Sequence, residues 1–139
     1  MSGFRIFLIV LAVCVAAGAG GGYLVWRTFG PGAVEDMRRV QNEASEFAHA
    51  NDQSACAREA FRRLRACGGF WCELQQPAFT KECLSNAEPA DELCDEVPDS
   101  LIQGALWTQT ACVDVDDVRP EICTRILREV LTVCIARDL

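Results

Sequence analysis

The chain has 139 residues with 13 Lys or Arg and 20 Asp or Glu, which gives a formal net charge of −7 at pH 7. This length accommodates one modest domain and one further segment. No acidic residue precedes Val34, and Arg5 and Arg27 are the basic residues there, so 11 basic and 20 acidic residues leave the remainder at −9. We expect no nucleic-acid partner, because phosphate binding needs clustered Lys and Arg.

Residues 6–26 contain no charge and are long enough to cross a bilayer as a helix. Tyr23 and Trp26 stand just before Arg27, and aromatic residues followed by a cation are typical of a membrane interface. We therefore predict a transmembrane signal-anchor helix over residues 1–27.

Two other interpretations of this segment have to be weighed. Ala17-Gly18-Ala19 matches a signal-peptidase cleavage pattern, so the segment is alternatively a cleaved signal peptide. Lipidation at Cys14 is disfavoured, because Val13 precedes that cysteine and the following residues are apolar.

Gly18 and Gly22 have the GxxxG spacing that lets two helix backbones approach closely in lipid. We expect this face to pack against a transmembrane helix of a partner protein or of a second copy.

Residues 28–53 are predicted to be a linker and a connecting helix. Gly30-Pro31-Gly32 suggests a hinge, because proline and glycine interrupt helices. From Val34 onward, apolar residues recur at helical spacing and predict a helix that lies on the domain; they are Met37, Val40, Ala44 and Phe47.

Residues 54–139 are predicted to be a cysteine-rich helical domain, and the expected fold class is all-α because no useful strand-like alternation occurs. The first helix, capped by Asn51, Asp52 or Ser54, should end near Cys67. Further helices are predicted over residues 77–87 and 89–96, after Ser100, and from Pro120. The last helix has the broadest apolar face, which is typical of a central core helix.

Eight cysteines lie in this domain, an even number that predicts four disulfides in an oxidising compartment. They are Cys56, Cys67, Cys72, Cys83, Cys94, Cys112, Cys123 and Cys134. Five of the seven gaps between them are eleven residues long, an interval that returns to nearly the same helix face.

The sequence does not choose one pairing, but two schemes fit antiparallel helices. The first expectation pairs Cys56 with Cys83 and Cys67 with Cys72, around the central Gly68-Gly69 turn. The alternative needs a straight helix through Pro77 and Pro89, which disfavours it; it pairs Cys72–Cys134, Cys83–Cys123 and Cys94–Cys112.

The segment from Cys56 to Cys83 resembles the twin cysteine helical-hairpin proteins of the mitochondrial intermembrane space, over about thirty residues. Those proteins join two antiparallel helices by two disulfides. The interval within each cysteine pair is one residue longer here, and the connecting loop is very short, so the resemblance implies shared geometry only.

Other chemistry finds little support. The chain has no C-x-x-C pair for zinc or dithiol redox work, and His49 is its single histidine, so we expect no catalytic residue, metal or cofactor. Trp71 and Trp107 are expected to pack in the core. The acidic cluster after Val113 is expected to be a solvated turn rather than a calcium site; it comprises Asp114, Asp116, Asp117 and Glu121.

These features predict a non-enzymatic, single-pass membrane protein whose domain stands in the periplasm or another oxidising extracytoplasmic space. It would act as an accessory or scaffold subunit of a membrane complex. A second acidic run, residues 88–99, is expected to be solvated and could meet a basic protein partner. The alternatives are a secreted or periplasmic binding domain released by cleavage, and a thiol-based metal or redox protein.

Overall fold

The computed structural model describes residues 2–113, 115 and 118–137, and within them the protein is helical with no strand. The all-α prediction is therefore confirmed. The helices, in order, are α1 (Ser2–His49), α2 (Gln53–Arg65), α3 (Phe70–Asn86), a short 3₁₀ turn (Asp91–Leu93), α4 (Leu101–Thr110) and α5 (Pro120–Arg137). The chain divides into two compact units, residues 1–36 and 37–139.

The first unit contains an apolar stretch of α1, Phe7–Leu24, with a mean hydropathy of 2.1. By length and composition it could cross a membrane, and a signal sequence near the N-terminus has the same properties.

The prediction that residues 28–33 interrupt the helix is wrong, since α1 includes Pro31. Proline removes one backbone donor, but the hydrogen bonds of the neighbouring turns can still maintain helical geometry. The boundary between the two units lies between Asp36 and Met37, slightly after the predicted hinge.

The part of α1 in the second unit contributes to its core, as the spacing of its apolar residues predicts. Val40, Ala44 and Ala48 are buried. Phe47 packs against Phe79 of α3, with ring centroids 6.3 Å apart.

The helices α2 and α3 form a hairpin whose open end is tied by hydrogen bonds. Asp52 caps α2, its side chain accepting a bond from the backbone N–H of Ala55 at 2.7 Å. The backbone N–H of Gln53 donates to the carbonyl of Glu88 at 3.0 Å. The side-chain amide of Gln53 donates to the carbonyl of Leu84, also at 3.0 Å.

The start predicted for α3 at Pro77 is wrong, because the helix begins at Phe70 and runs through that proline. Phe79 and Gln76, on either side of Pro77, are buried. Their burial offsets the lost backbone bond, so packing overrides the local preference of proline. The helix predicted over residues 89–96 is also wrong, since only Asp91–Leu93 is helical there.

The predicted central role of α5 is confirmed, because it packs against α2, α3 and α4. Its buried face consists of Ile122, Cys123, Ile126, Val130, Leu131 and Cys134.

All eight cysteines of the second unit form disulfides. Cys56–Cys83 and Cys67–Cys72 join α2 to α3, which confirms the first pairing scheme for this half. The other two are Cys94–Cys134 and Cys112–Cys123. The alternative scheme is wrong: its geometry depended on one straight helix through Pro89, where the structure has an irregular segment.

Arg63 links three helices of the second unit. Its guanidinium group donates to Glu43 of α1 at 2.6 Å and to Glu59 of α2 at 3.3 Å, and it lies 4.2 Å from the centroid of the Phe79 ring. Glu59 also accepts two bonds from Arg62 at 2.6 Å. These charge-assisted hydrogen bonds, those from Arg62 above all, lower the pKa of the Glu59 carboxyl from its ordinary value of 4.5.

The two disulfides of the hairpin should differ in their contribution to stability. Cys56–Cys83 spans 27 residues and Cys67–Cys72 spans 5. Replacing Cys56 and Cys83 by Ala should lower the free energy of unfolding by about 3.5 kcal/mol, and replacing Cys67 and Cys72 by about 2 kcal/mol, because the longer loop restricts the unfolded chain more. Urea titration of both variants measures this, and an equal or reversed order contradicts it.

Glu59 should stabilise the fold in a pH-dependent way. Its pKa is lower in the folded chain than in the unfolded one, so its stabilisation is present above pH 4.5 and is lost as the pH falls through the folded value. Glu59→Gln should therefore lower the free energy of unfolding at pH 7 and have a smaller effect at pH 3. The exposed Glu46→Gln is the matched control, and a Glu59→Gln effect that does not change with pH contradicts the prediction.

Candidate functional site

The eight cysteine sulfur atoms of the second unit are bonded in pairs and cannot act as thiolate ligands or redox thiols in this state. Cys14 is a free, exposed cysteine. Across the residues whose placement is described, no group of three or more His, Cys, Asp or Glu side chains is arranged to hold a metal ion.

The glycines predicted to pack in the membrane, Gly18 and Gly22, lie on an exposed part of α1. No other side chain or backbone atom comes within 4 Å of a Cβ built at either position. Their role in helix association remains a prediction.

His49 is exposed and ends α1. Glu121 is exposed in the first turn of α5. The rest of the acidic cluster lies outside the described residues, namely Asp114, Asp116 and Asp117.

The helix α4 exposes most of its large apolar side chains, unlike an ordinary surface helix. Its inward side carries Gly104 and the buried Thr108, whereas Leu101, Ile102 and Leu106 are 73%, 78% and 61% exposed. Surface helices normally bury their apolar stripe and expose the polar one. We call Leu101, Ile102, Ala105 and Leu106 the α4 face; an exposed apolar surface of this kind is typical of an interaction site.

The position of α4 explains how it can expose these residues. A Cβ atom at Gly104 would lie 2.5 Å from both terminal carbons of Leu131, so the absence of a side chain lets α4 approach α5 closely. Cys112, directly after α4, is bonded to Cys123 of α5. The helix is thus fixed by close backbone packing and a covalent bond.

The sequence predicts a helix after Ser100, but not that its large apolar residues are exposed. The signal is that small or polar residues recur at Gly104, Thr108 and Cys112, every fourth position, on one side of the helix. Such a side suits close contact with another helix, which leaves the larger apolar residues facing away.

The expectation that Trp71 packs in the core is wrong, since it is 47% exposed at the start of α3. Its neighbour Phe70 is 55% exposed, and the Arg119 guanidinium lies 5.3 Å from the Phe70 ring centroid. Both aromatics lie within the short loop closed by the Cys67–Cys72 bond, in the first turn of α3. Trp107 is half-buried and packs against the core.

A groove of about 440 Å³ opens beside Trp107, between α2, the 3₁₀ segment, α4 and α5. We refer to its buried and half-buried apolar residues as the floor and to its exposed charged residues, Arg58 of α2 with Glu92 and Glu96, as the rim. We call it the Trp107 groove; its lining residues are Ser54, Ala57, Arg58, Glu92, Leu93, Glu96, Val97, Trp107, Leu127 and Val130.

In comparisons with protein-family models, curated proteins and solved structures, no match to this chain was found. The function must therefore be argued from the surfaces of the protein itself.

The close approach of α4 to α5 can be tested at Gly104. Gly104→Val places three carbons against Leu131 and should lower the free energy of unfolding by about 1–3 kcal/mol through overpacking. Gln103→Val adds the same side chain at the adjacent exposed position and should change stability little. Thermal or urea unfolding compares the two, and equal stability of the variants contradicts the close contact.

Proposed function

We propose that the protein is a non-enzymatic, membrane-anchored extracytoplasmic interaction protein, which acts as an accessory or scaffold subunit of a membrane complex. The observation that carries this proposal is the α4 face, an exposed apolar surface on a covalently fixed helix. The four disulfides support an oxidising extracytoplasmic location, such as the periplasm.

The anchor is supplied by the N-terminal apolar stretch. Phe7–Leu24 has the length and hydropathy of a spanning helix, and Gly18 and Gly22 would let it pack against a partner's transmembrane helix. Anchoring restricts the domain to partners of the same membrane, so two modest contacts on one chain reinforce each other.

The occupant of the α4 face would be an apolar surface on the extracytoplasmic part of a membrane protein. A lipid surface fits less well, because an anionic bilayer repels residues 34–139, whose formal charge is −9. A second copy also fits less well: acidic runs lie in sequence on both sides of the uncharged α4, so two like-charged surfaces would meet.

A secreted or periplasmic binding domain is the second candidate, since Phe7–Leu24 lies near the N-terminus, where a signal sequence would lie. Intact-mass measurement of the mature protein separates the two candidates. A mass that includes the N-terminal segment supports the anchor, and a mass that begins after Ala19 supports cleavage.

The proposed function predicts that the full-length protein co-purifies from detergent-solubilised membranes with an integral membrane protein in fixed stoichiometry. Replacing Leu101, Ile102 and Leu106 by Ser should lower recovery of that protein about tenfold or more, because the central apolar contacts of an interface carry most of its energy. The variant should keep its disulfides and its membrane anchoring, since these side chains are exposed.

The matched control replaces Phe70 and Trp71, exposed aromatics outside α4, by Ser. It should retain the partner. Recovery of the wild-type protein as a free monomer, as a homo-oligomer alone, or with a partner that the α4-face variant retains would contradict the proposal.

A further inference from the structure

We propose that the Trp107 groove binds a basic peptide segment of a partner protein, with one apolar side chain on the groove floor and a Lys or Arg against the rim. This inference deepens the proposed function and rests on it in one respect: the ligand is a protein segment rather than a small molecule. It concerns a surface separate from the α4 face.

The floor of the groove suits an apolar anchor. Val97 and Val130 are buried, Leu93, Trp107 and Leu127 are half-buried, and all five line the groove. A volume of about 440 Å³ falls in the range of ligand sites and is large enough for a Leu or Phe side chain. Covering a half-exposed Trp with such a group removes apolar surface from water.

The rim determines the charge of the segment. Glu92 and Glu96 line one side and belong to an acidic run whose members are all exposed, as expected from the sequence. These members are Glu88, Asp91, Glu92, Asp95, Glu96 and Asp99. Charge complementarity therefore favours a cationic ligand.

The cation of the segment should lie on one side only. Arg58 lines the α2 wall and would repel a Lys or Arg placed there, so it directs the basic side chain toward Glu92 and Glu96. The Arg58 guanidinium can also donate a hydrogen bond to a peptide carbonyl, which would fix the direction of the segment.

Ser54 provides an observation independent of the charges. It lines the groove near the start of α2, is 6% exposed, and its Oγ has no hydrogen-bond partner in the structure. A buried hydroxyl without a partner is unfavourable, and a rotation of the Ser54 side chain toward the groove would let a polar backbone group of a bound segment supply one.

The test uses the full-length protein in detergent micelles and fluorescein-labelled peptides in which one Leu is flanked by two Lys on each side. The protein should bind this peptide saturably, and the affinity should fall with rising salt. We also expect a peptide with Ala in place of Leu, and one with Glu in place of Lys, to lose affinity. Each should bind at least about tenfold more weakly than the Lys–Leu peptide. Fluorescence anisotropy measures all three.

The decisive variant is Glu92→Gln with Glu96→Gln, which should weaken binding of the Lys–Leu peptide about tenfold. Its matched control is Asp95→Asn with Asp99→Asn, which removes the same charge from the same acidic run outside the groove and should weaken binding much less. Equal effects of the two variants would mean non-specific attraction to the acidic run and overturn the inference, as would the absence of binding to the wild-type protein.

Ser54→Ala gives a second readout. It should weaken peptide binding a few-fold without lowering thermal stability, because the hydroxyl has no partner in the free protein. Lower stability with unchanged binding would assign Ser54 to the fold and overturn its place in the site.

The two proposals fail in different ways. If the peptide does not bind while the α4-face variant loses its membrane partner, the groove inference fails and the proposed function stands. If the peptide binds with the expected dependence on Glu92 and Glu96 but no membrane protein co-purifies, the proposed function fails alone.

Discussion

The covalent connection of α2 to α3, and of α5 to both the 3₁₀ segment and the end of α4, is the constraint on which the rest of the structure depends. Many side chains in the core are small, including Ala44, Ala48 and Ala60, and a core of this kind supplies limited hydrophobic stabilisation. Disulfides add stability by restricting the unfolded chain rather than by burying more surface. The protein can therefore keep a fixed fold although some of its large apolar residues lie on the surface.

The most direct consequence concerns α4. A helix held only by packing would have to bury Leu101, Ile102 and Leu106, whereas α4 is held by the Gly104 contact and the Cys112–Cys123 bond. Its large apolar side chains remain exposed. The opposite edge of α4, at Trp107, meets the irregular 3₁₀ segment, whose position is fixed in turn by the Cys94–Cys134 bond. Both candidate surfaces are thus built on cross-linked frames, and a rigid surface loses less conformational entropy on binding.

The sequence predicts the helical class, the α2–α3 disulfides and the broad face of α5 because each follows from a local periodicity. The eleven-residue interval of the cysteines and the apolar spacing of the last helix are visible without knowledge of tertiary contacts. The helix boundaries predicted at the prolines are wrong for the converse reason, since they depend on tertiary contacts. Whether Pro31 or Pro77 ends a helix depends on what the flanking turns contact, and a local rule does not contain those contacts.

The candidate surfaces, like the helix boundaries at the prolines, depend on tertiary contacts rather than on local periodicity. An apolar residue in a helix is expected to be buried, and only the packing of Gly104 against Leu131 reveals which side of α4 faces inward. The Trp107 groove brings together residues of α2 and α5 that are far apart in the chain, with the acidic segment between them. The spacing of residues in the sequence therefore does not predict it. The acidic run itself is evident from composition, and its exposure agrees with the expectation.

The most direct test of this account is disulfide mapping of the non-reduced, alkylated protein by proteolysis and mass spectrometry. The account predicts cross-linked peptides for the four observed pairs and a single alkylated cysteine, Cys14. Alkylation of all nine cysteines, or a linkage of Cys112 to any residue other than Cys123, would contradict it, because α4 would then lack the bond that allows its apolar face to stay exposed.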